Sequence, residues 1–430
     1  MVESTAHFFW ATGIEDTFVA QVEPGRRRLD LYELQHHYDM WKEDLDLVGE
    51  LGVKVMRYGV PWYLVNPSPG LYDWSFTDRV LEYMTREKGV SPIVDLVHYG
   101  CPLWLQGEFV NPDYPKRVAD YAAAFAERYK PLGVRCFTPL NEPYVNAEYC
   151  GLIGRWPPRL SGEEGFVRLC ERLGRGIIAT VEALKAVTPE AVMVHVEATG
   201  LALSEDPSLR QALEPLNERR FVVLELIQGR VGPDHVLRDW LVDKGLDDDD
   251  LAWFSEHALR LDVLGLNYYP ELSVRRFFER GGRLESEPWW GGAECLKRLI
   301  REHWRRYRRP VFLTETSTNE KAGDRVAWLR ESVSAVRELR QEGIPVIGYT
   351  WWPLYDLVNW DYREGAGPAE DYIEPMGLWS LEPRDGGRLL RKPTRAVAVY
   401  QELISSSPVG EIGEDPCSPK KMTSGRTQYK

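Results

Sequence analysis

No stretch of this chain approaches the roughly 18 consecutive apolar residues of a membrane-spanning helix. That excludes an integral helical membrane protein. The opening stretch, Met1 to Gly13, lacks the basic start and long apolar core of a secretory signal, so the expected localisation is cytoplasmic. Cysteine is scarce: the six in 430 residues are scattered, with no CxxC pair and no zinc-type spacing. They are expected to be reduced thiols, with no metal site and no cofactor. Positive charge is in deficit, 53 Lys and Arg against 66 Asp and Glu, for a net charge of −13. Such a balance argues against nucleic acid or an anionic membrane as partner. Low-complexity sequence is absent from the first 400 positions, and 43% hydrophobic residues allow a sizeable core.

What the chain has in quantity is aromatic surface, 16 Trp and 21 Tyr. Most of these rings belong to packing, but flat aromatic faces also suit stacking on sugar rings. Eight short apolar or aromatic runs recur: His7–Thr12, Val53–Val60, Ser91–His98, Val134–Phe137 running into Thr138–Pro143, Ala191–Glu197, Val263–Tyr269, Pro310–Thr316 and Ile344–Trp351. Helical patterns separate them. One spans Leu31 to Leu51, with Tyr38, Trp41, Leu45 and Val48 on one face and Gly52 as its stop. Ser75 and Asp78 resemble a capping box opening a helix to Lys88. Further helices are expected over Tyr114–Tyr129, Glu164–Val187, Glu294–Tyr307 and Arg325–Glu342. The segment Ser208–Leu259 also reads as helical, its acidic run Asp247–Asp250 being a solvated turn and helix start. Strand and helix in strict alternation predict a single (β/α)₈ TIM barrel of the α/β class, occupying residues 1–404. The Ser-, Pro-, Gly- and Lys-rich stretch 405–430 is expected to be a disordered tail.

Two of the strand runs end in a carboxylate. Thr138-Pro-Leu-Asn-Glu-Pro143 presents Asn141 and Glu142, and Pro310-Val-Phe-Leu-Thr-Glu-Thr316 presents Glu315. The carboxyl edge of a barrel carries its catalytic groups, so these two glutamates are expected to face each other across a pocket. A carboxyl pair about 5–5.5 Å apart, one acid and one nucleophile, is what cleavage of a glycosidic bond with retention requires.

On these motifs the chain resembles family 1 glycoside hydrolases, the β-glucosidase-like enzymes, from about Phe8 to Ile404. The resemblance implies Glu142 as general acid/base, Glu315 as nucleophile and Asn141 as a donor to the sugar 2-hydroxyl. It also implies Arg57 and Tyr269 beside the nucleophile, His98 and Trp352 as sugar contacts, and Asn359 and Trp360 in the eighth-strand signature. The implied partner is a carbohydrate or glycoside. Glu197 shares a strand face with His195 and is either a pocket group or half of a structural ion pair.

The sequence departs from the family pattern beside Glu315, where Thr316-Ser317 replaces Asn-Gly, and at two sugar-gripping positions. The first-strand Gln aligns with Gly13, and the Glu before the final Trp is Asn359. Two polar grips are therefore expected to be missing, which redirects sugar choice. The expected activity is retaining β-glycoside hydrolysis by double displacement. A transglycosylase of the same fold and a catalytically impaired carbohydrate-binding barrel are the alternatives.

Overall fold

The computed structural model describes residues 7–384 and 388–407. Eight parallel strands close into a barrel: β1 (Phe9–Gly13), β2 (Val55–Gly59), β3 (Ser91–Asp95), β4 (Cys136–Thr138), β5 (Val192–Ala198), β6 (Val263–Asn267), β7 (Val311–Thr316) and β8 (Val346–Trp351). Closure comes from β1, which pairs with β8 through Phe9 to Thr12 and with β2 through Ala11 to Gly13. Phe9, Val55, Ile93, Val194, Val263 and Phe312 share a buried apolar cluster that fills the barrel interior. The alternate residues face the helices, as the two-residue period of a strand requires.

A helix follows each barrel strand: α1 (His37–Leu51), α2 (Ser75–Glu82), α3 (Tyr114–Tyr129), α4 (Gly162–Val187), α5 (Gly292–Tyr307), α6 (Arg325–Gln341) and α7 (Arg395–Ser405), with four shorter helices between Arg210 and Glu256 after β5. Eight strands with covering helices form the TIM barrel expected from the alternation.

Several expectations need correction. The first helix is interrupted: Leu31–Leu34 and α1 are separated by His36, which adopts a left-handed backbone (φ 62°). The α2 capping box does not form. Asp73 accepts from the Ser75 amide at 2.9 Å, and Asp78 instead binds Arg128 and Tyr129. The acidic run does open a helix, with Asp247 and Asp250 capping each other's backbone amides. An antiparallel hairpin, Val274–Arg280 with Arg283–Pro288, lies between β6 and α5 where no strand was expected. Its outer residues are mostly charged, so neither run carries the apolar alternation that marks a strand.

The expected tail boundary also moves. Ser405 is still helical, and Ser407 Oγ accepts from Trp10 Nε1 at 3.0 Å. The remainder, 408–430, lies outside the described residues. Cys101, Cys150, Cys170 and Cys295 are free thiols, as expected, and Cys417 lies outside the described residues. Among the described residues, no helix is long and apolar enough to cross a membrane.

Candidate active site

The turn after β4 delivers Glu142. Its backbone is left-handed (φ 43°, ψ 64°), a conformation that is strained for a residue with a side chain. Contacts on both sides hold it there. Asn141 N donates to Val97 O at 2.9 Å, Glu142 N to Val196 O at 3.1 Å, and Asn146 N to Glu142 O at 3.0 Å. Pro143 follows at the first helical position, where its missing N–H costs nothing. Glu197 closes the same turn: its Oε1 accepts from Tyr144 N at 3.2 Å. It lies on the helix-facing side of β5, away from Val194 and Val196 in the barrel interior, so it braces the turn from behind.

Glu142 is 7% exposed and has only neutral partners: Asn267 Nδ2 donates to Oε1 at 2.7 Å, and the Tyr99 hydroxyl donates to Oε2. Burial raises its pKa against the pull of these donors. Asn267 is in turn oriented by Thr314, whose hydroxyl donates to Asn267 Oδ1 at 2.7 Å.

Glu315, 4% exposed at the end of β7, is held differently. Arg57 Nη1 donates to Oε1 at 2.5 Å and the Tyr269 hydroxyl to Oε2 at 2.6 Å. Burial pushes the Glu315 carboxyl up to about 7, while Arg57 and Tyr269 pull the other way. The two glutamates titrate as a pair. A guanidinium in direct contact with only one of them selects Glu315 for the first negative charge.

Arg57 is fully buried and anchors a wider network. Its Nη2 reaches Asp95 at 2.5 Å and Asn141 Oδ1 at 3.0 Å, and its guanidinium lies 4.7 Å from the Trp352 ring centroid. Since Arg57 takes the Asn141 oxygen, the amide nitrogen faces His98 Nε2 at 2.9 Å and the Tyr99 hydroxyl at 3.1 Å. On its other side, His98 Nδ1 lies 2.7 Å from Asp16. Burial opposes a charged ring, but Asp16 outweighs it and raises His98 well above the usual imidazole range. When the ring holds one proton, that proton sits on Nδ1, which leaves Nε2 to accept from Asn141. Asp16, Asp95 and His98 converge to within 4.8 Å. A metal ion there would have to displace Arg57 from Asp95 and His98 from Asp16.

Arg57, His98, Asn141, Tyr269 and Trp352 therefore gather with the two glutamates. Trp352 is 1% exposed, its ring nearly parallel to His98 at 6° and 6.1 Å between centroids. Trp360 lies further out, packed against Tyr99, Tyr149 and Trp156. Asn359 is spent locally. Its Nδ2 donates to Glu374 at 2.6 Å, and its Oδ1 accepts from the Asp361 amide at 2.7 Å.

The expected missing grip at Gly13 needs revision. A side chain at Gly13 would collide with Trp352, since a Cβ there would stand 2.1 Å from the ring. The polar group that β1 brings to Trp352 is Glu15, two residues on: Trp352 Nε1 donates to Glu15 Oε2 at 3.0 Å. Tyr99, Asn267, Asp95, Asp16 and Glu15 were not picked out from the sequence. A charged residue inside an apolar run, as in Ser91-Pro-Ile-Val-Asp95, was a usable signal for Asp95. Tyr99 adjoins His98, and Glu15 lies two residues from Gly13.

Paired buried carboxyls on the tips of β4 and β7, with a guanidinium on one of them, are an arrangement that glycosidic-bond cleavage on a barrel can use. The family model for glycosyl hydrolase family 1 matches residues 12–224. β-Glucosidase A of Thermotoga maritima is 25% identical over 379 residues, covering 80% of this chain and 81% of that protein. A bifunctional β-D-glucosidase/β-D-fucosidase of Bifidobacterium breve is 26% identical over 393 residues, covering 78% and 83%. The fold is similar to that of Thermotoga maritima β-glucosidase in complex with castanospermine, with a TM-score of 0.78 at 21% identity over 95% of this chain and 99% of that one. On these matches the chain is similar to the β-glycosidases of glycosyl hydrolase family 1.

Proposed function

We propose that the protein hydrolyses β-glycosides with retention of anomeric configuration, by double displacement through a covalent glycosyl-enzyme. The observation that carries this reading is the asymmetry of the two glutamates. Glu315 has Arg57 at 2.5 Å, whereas Glu142 has only the neutral donors Tyr99 and Asn267. A cation on one partner and none on the other assigns the negative charge to Glu315 and the proton to Glu142.

In the first step Glu142 gives its proton to the glycosidic oxygen as the bond to the leaving group breaks. Glu315 attacks the anomeric carbon from the opposite face and forms the glycosyl ester. The aglycone departs as an alcohol. Glu142, now a carboxylate, takes a proton from water, whose oxygen attacks the anomeric carbon and releases Glu315. Arg57 and Tyr269 hold the nucleophile in place and balance its charge. Asn141, oriented by Arg57, offers an amide donor to the sugar, with His98 and Trp352 as further glycone contacts and Trp360 packing behind Tyr99. The β-glucosidase and β-fucosidase names of the relatives support a β-linked monosaccharide glycoside as substrate.

The test is turnover of a panel of aryl β-glycosides followed by proton NMR. The β-anomer of the free sugar should appear first and then mutarotate. First appearance of the α-anomer overturns double displacement.

A further inference from the structure

Glu15 is 5% exposed, and its Oε1 accepts from Thr17 Oγ1 at 2.6 Å while its Oε2 accepts from Trp352 Nε1 at 3.0 Å. No side chain among the described residues forms an ion pair with it. The two cations of this pocket are committed elsewhere: Arg57 to Asp95 and Glu315, and His98 to Asp16. Five acidic side chains (Glu15, Asp16, Asp95, Glu142 and Glu315) thus share two basic ones. Asp95 and Glu315 both contact Arg57, Asp16 contacts His98, and Glu142 holds the catalytic proton in the resting enzyme. Glu15 is the one of the five with neither a basic contact nor that proton. Its bond to the indole of Trp352, a ring that lies against His98 and the Arg57 guanidinium, places it at the same pocket.

Two neutral donors satisfy one lone pair on each Glu15 oxygen and cancel none of its charge. A buried carboxylate without a counter-ion is expensive, and the remaining lone pairs await a donor. A sugar hydroxyl would supply the hydrogen bond but not the charge. An ammonium supplies both. Anionic groups such as a uronate or a phosphate would meet repulsion from Glu15 with no free cation to offset it.

Resting on the β-glycosidase reading above, we propose that Glu15 is a specificity-determining residue that selects an amino sugar, its protonated amine seated against the Glu15 carboxylate. Trp352 takes part by holding that carboxylate through its indole N–H. Gly13 permits this by leaving room for the Trp352 ring.

The test compares an aryl β-glucoside with aryl aminodeoxy-β-glucosides carrying the amine at each ring position in turn, at a pH where the amine is protonated. One amino isomer should exceed the glucoside by at least ~10-fold in kcat/KM, chiefly through KM. Acetylating that amine, which keeps an N–H but removes the charge, should abolish the advantage. In Glu15→Gln the ratio of amino to neutral substrate should collapse towards one. The proposal is overturned if the wild type prefers the neutral glucoside to every amino isomer, or if Glu15→Gln leaves the ratio unchanged. Failure of the wider reading looks different, namely no turnover of any aryl β-glycoside. In that event calorimetry with glucose and the free aminodeoxyglucose isomers still decides the role of Glu15, and no isomer binding more tightly than glucose sinks it.

Discussion

One guanidinium serves two carboxylates: Arg57 donates through Nη1 to Glu315 and through Nη2 to Asp95, at 2.5 Å in each case, and all three side chains are buried. Asp95 is thereby held below the usual carboxylate range despite burial, while Glu315, which also faces Glu142, is not. The fixed cation is shared between Asp95 and the proposed nucleophile. Replacing Arg57 with Met should cost roughly 3–5 kcal/mol in denaturant unfolding, because two buried charges lose their partner. It should also move the acid limb of the kcat/KM profile upward by about one unit or more. An acid limb that stays in place would separate Arg57 from the nucleophile.

Glu142→Gln should lower kcat/KM by ~10²–10⁴-fold for substrates with poor leaving groups and remove the basic limb of the profile. The measurement is kcat/KM against pH with an alkyl and an activated aryl glycoside. Survival of the basic limb would assign the acid to another group.

Tyr99→Phe probes the same limb more gently. The Tyr99 hydroxyl donates to Glu142 and so stabilises its charged form. Its loss leaves burial less opposed, raises the Glu142 pKa further and should move the basic limb to higher pH. A downward shift contradicts the assignment.

Thermal stability should fall as pH rises from about 4.5 through 7. Burial raises Glu315 from 4.5 to about 7 and Asp16 from 3.8 to about 7, and Asp16 raises His98 against the effect of burial. For each group the folded state holds its proton more tightly than the unfolded state. The stability is present at low pH within this window and is lost as pH climbs through the folded-state values. A single carboxyl shifted from 4.5 to about 7 contributes roughly 3 kcal/mol by this linkage. Calorimetric Tm values at pH 5 and pH 8 test it, and a higher Tm at pH 8 contradicts the sign.

Gly13→Ala should destabilise by about 1–3 kcal/mol and impair activity, since the added methyl meets the Trp352 ring and the backbone oxygen of Arg57. Chemical denaturation with tryptophan fluorescence reads both the stability and the displaced indole. Wild-type stability and kinetics in this variant would show that Trp352 does not depend on Gly13.

The strand runs and the helix periods were legible because each depends on neighbours within a few positions. The two glutamates were legible for the same reason, since an apolar run that stops at a carboxylate marks a strand tip, and barrel strand tips converge. Arg57, His98 and Tyr269 could be placed on the same edge by the resemblance. The chain after β5 was only partly legible: its helices are four short pieces, and the charged hairpin before α5 carries no strand period.

What the sequence by itself determined is the alternation of strand and helix, and with it the barrel and the edge that carries the chemistry, because side-chain periodicity is local. Tertiary structure alone decided which groups touch. Tyr99 turns to Glu142, Asn267 reaches it across 125 positions, Asn359 bonds Glu374 locally although it was expected among the sugar contacts, and Glu15 rather than Gly13 meets Trp352. These contacts follow from barrel closure, from the left-handed turn at Glu142 and from the depth of burial that sets each charge. All three are properties of distant segments brought together, which no local pattern encodes.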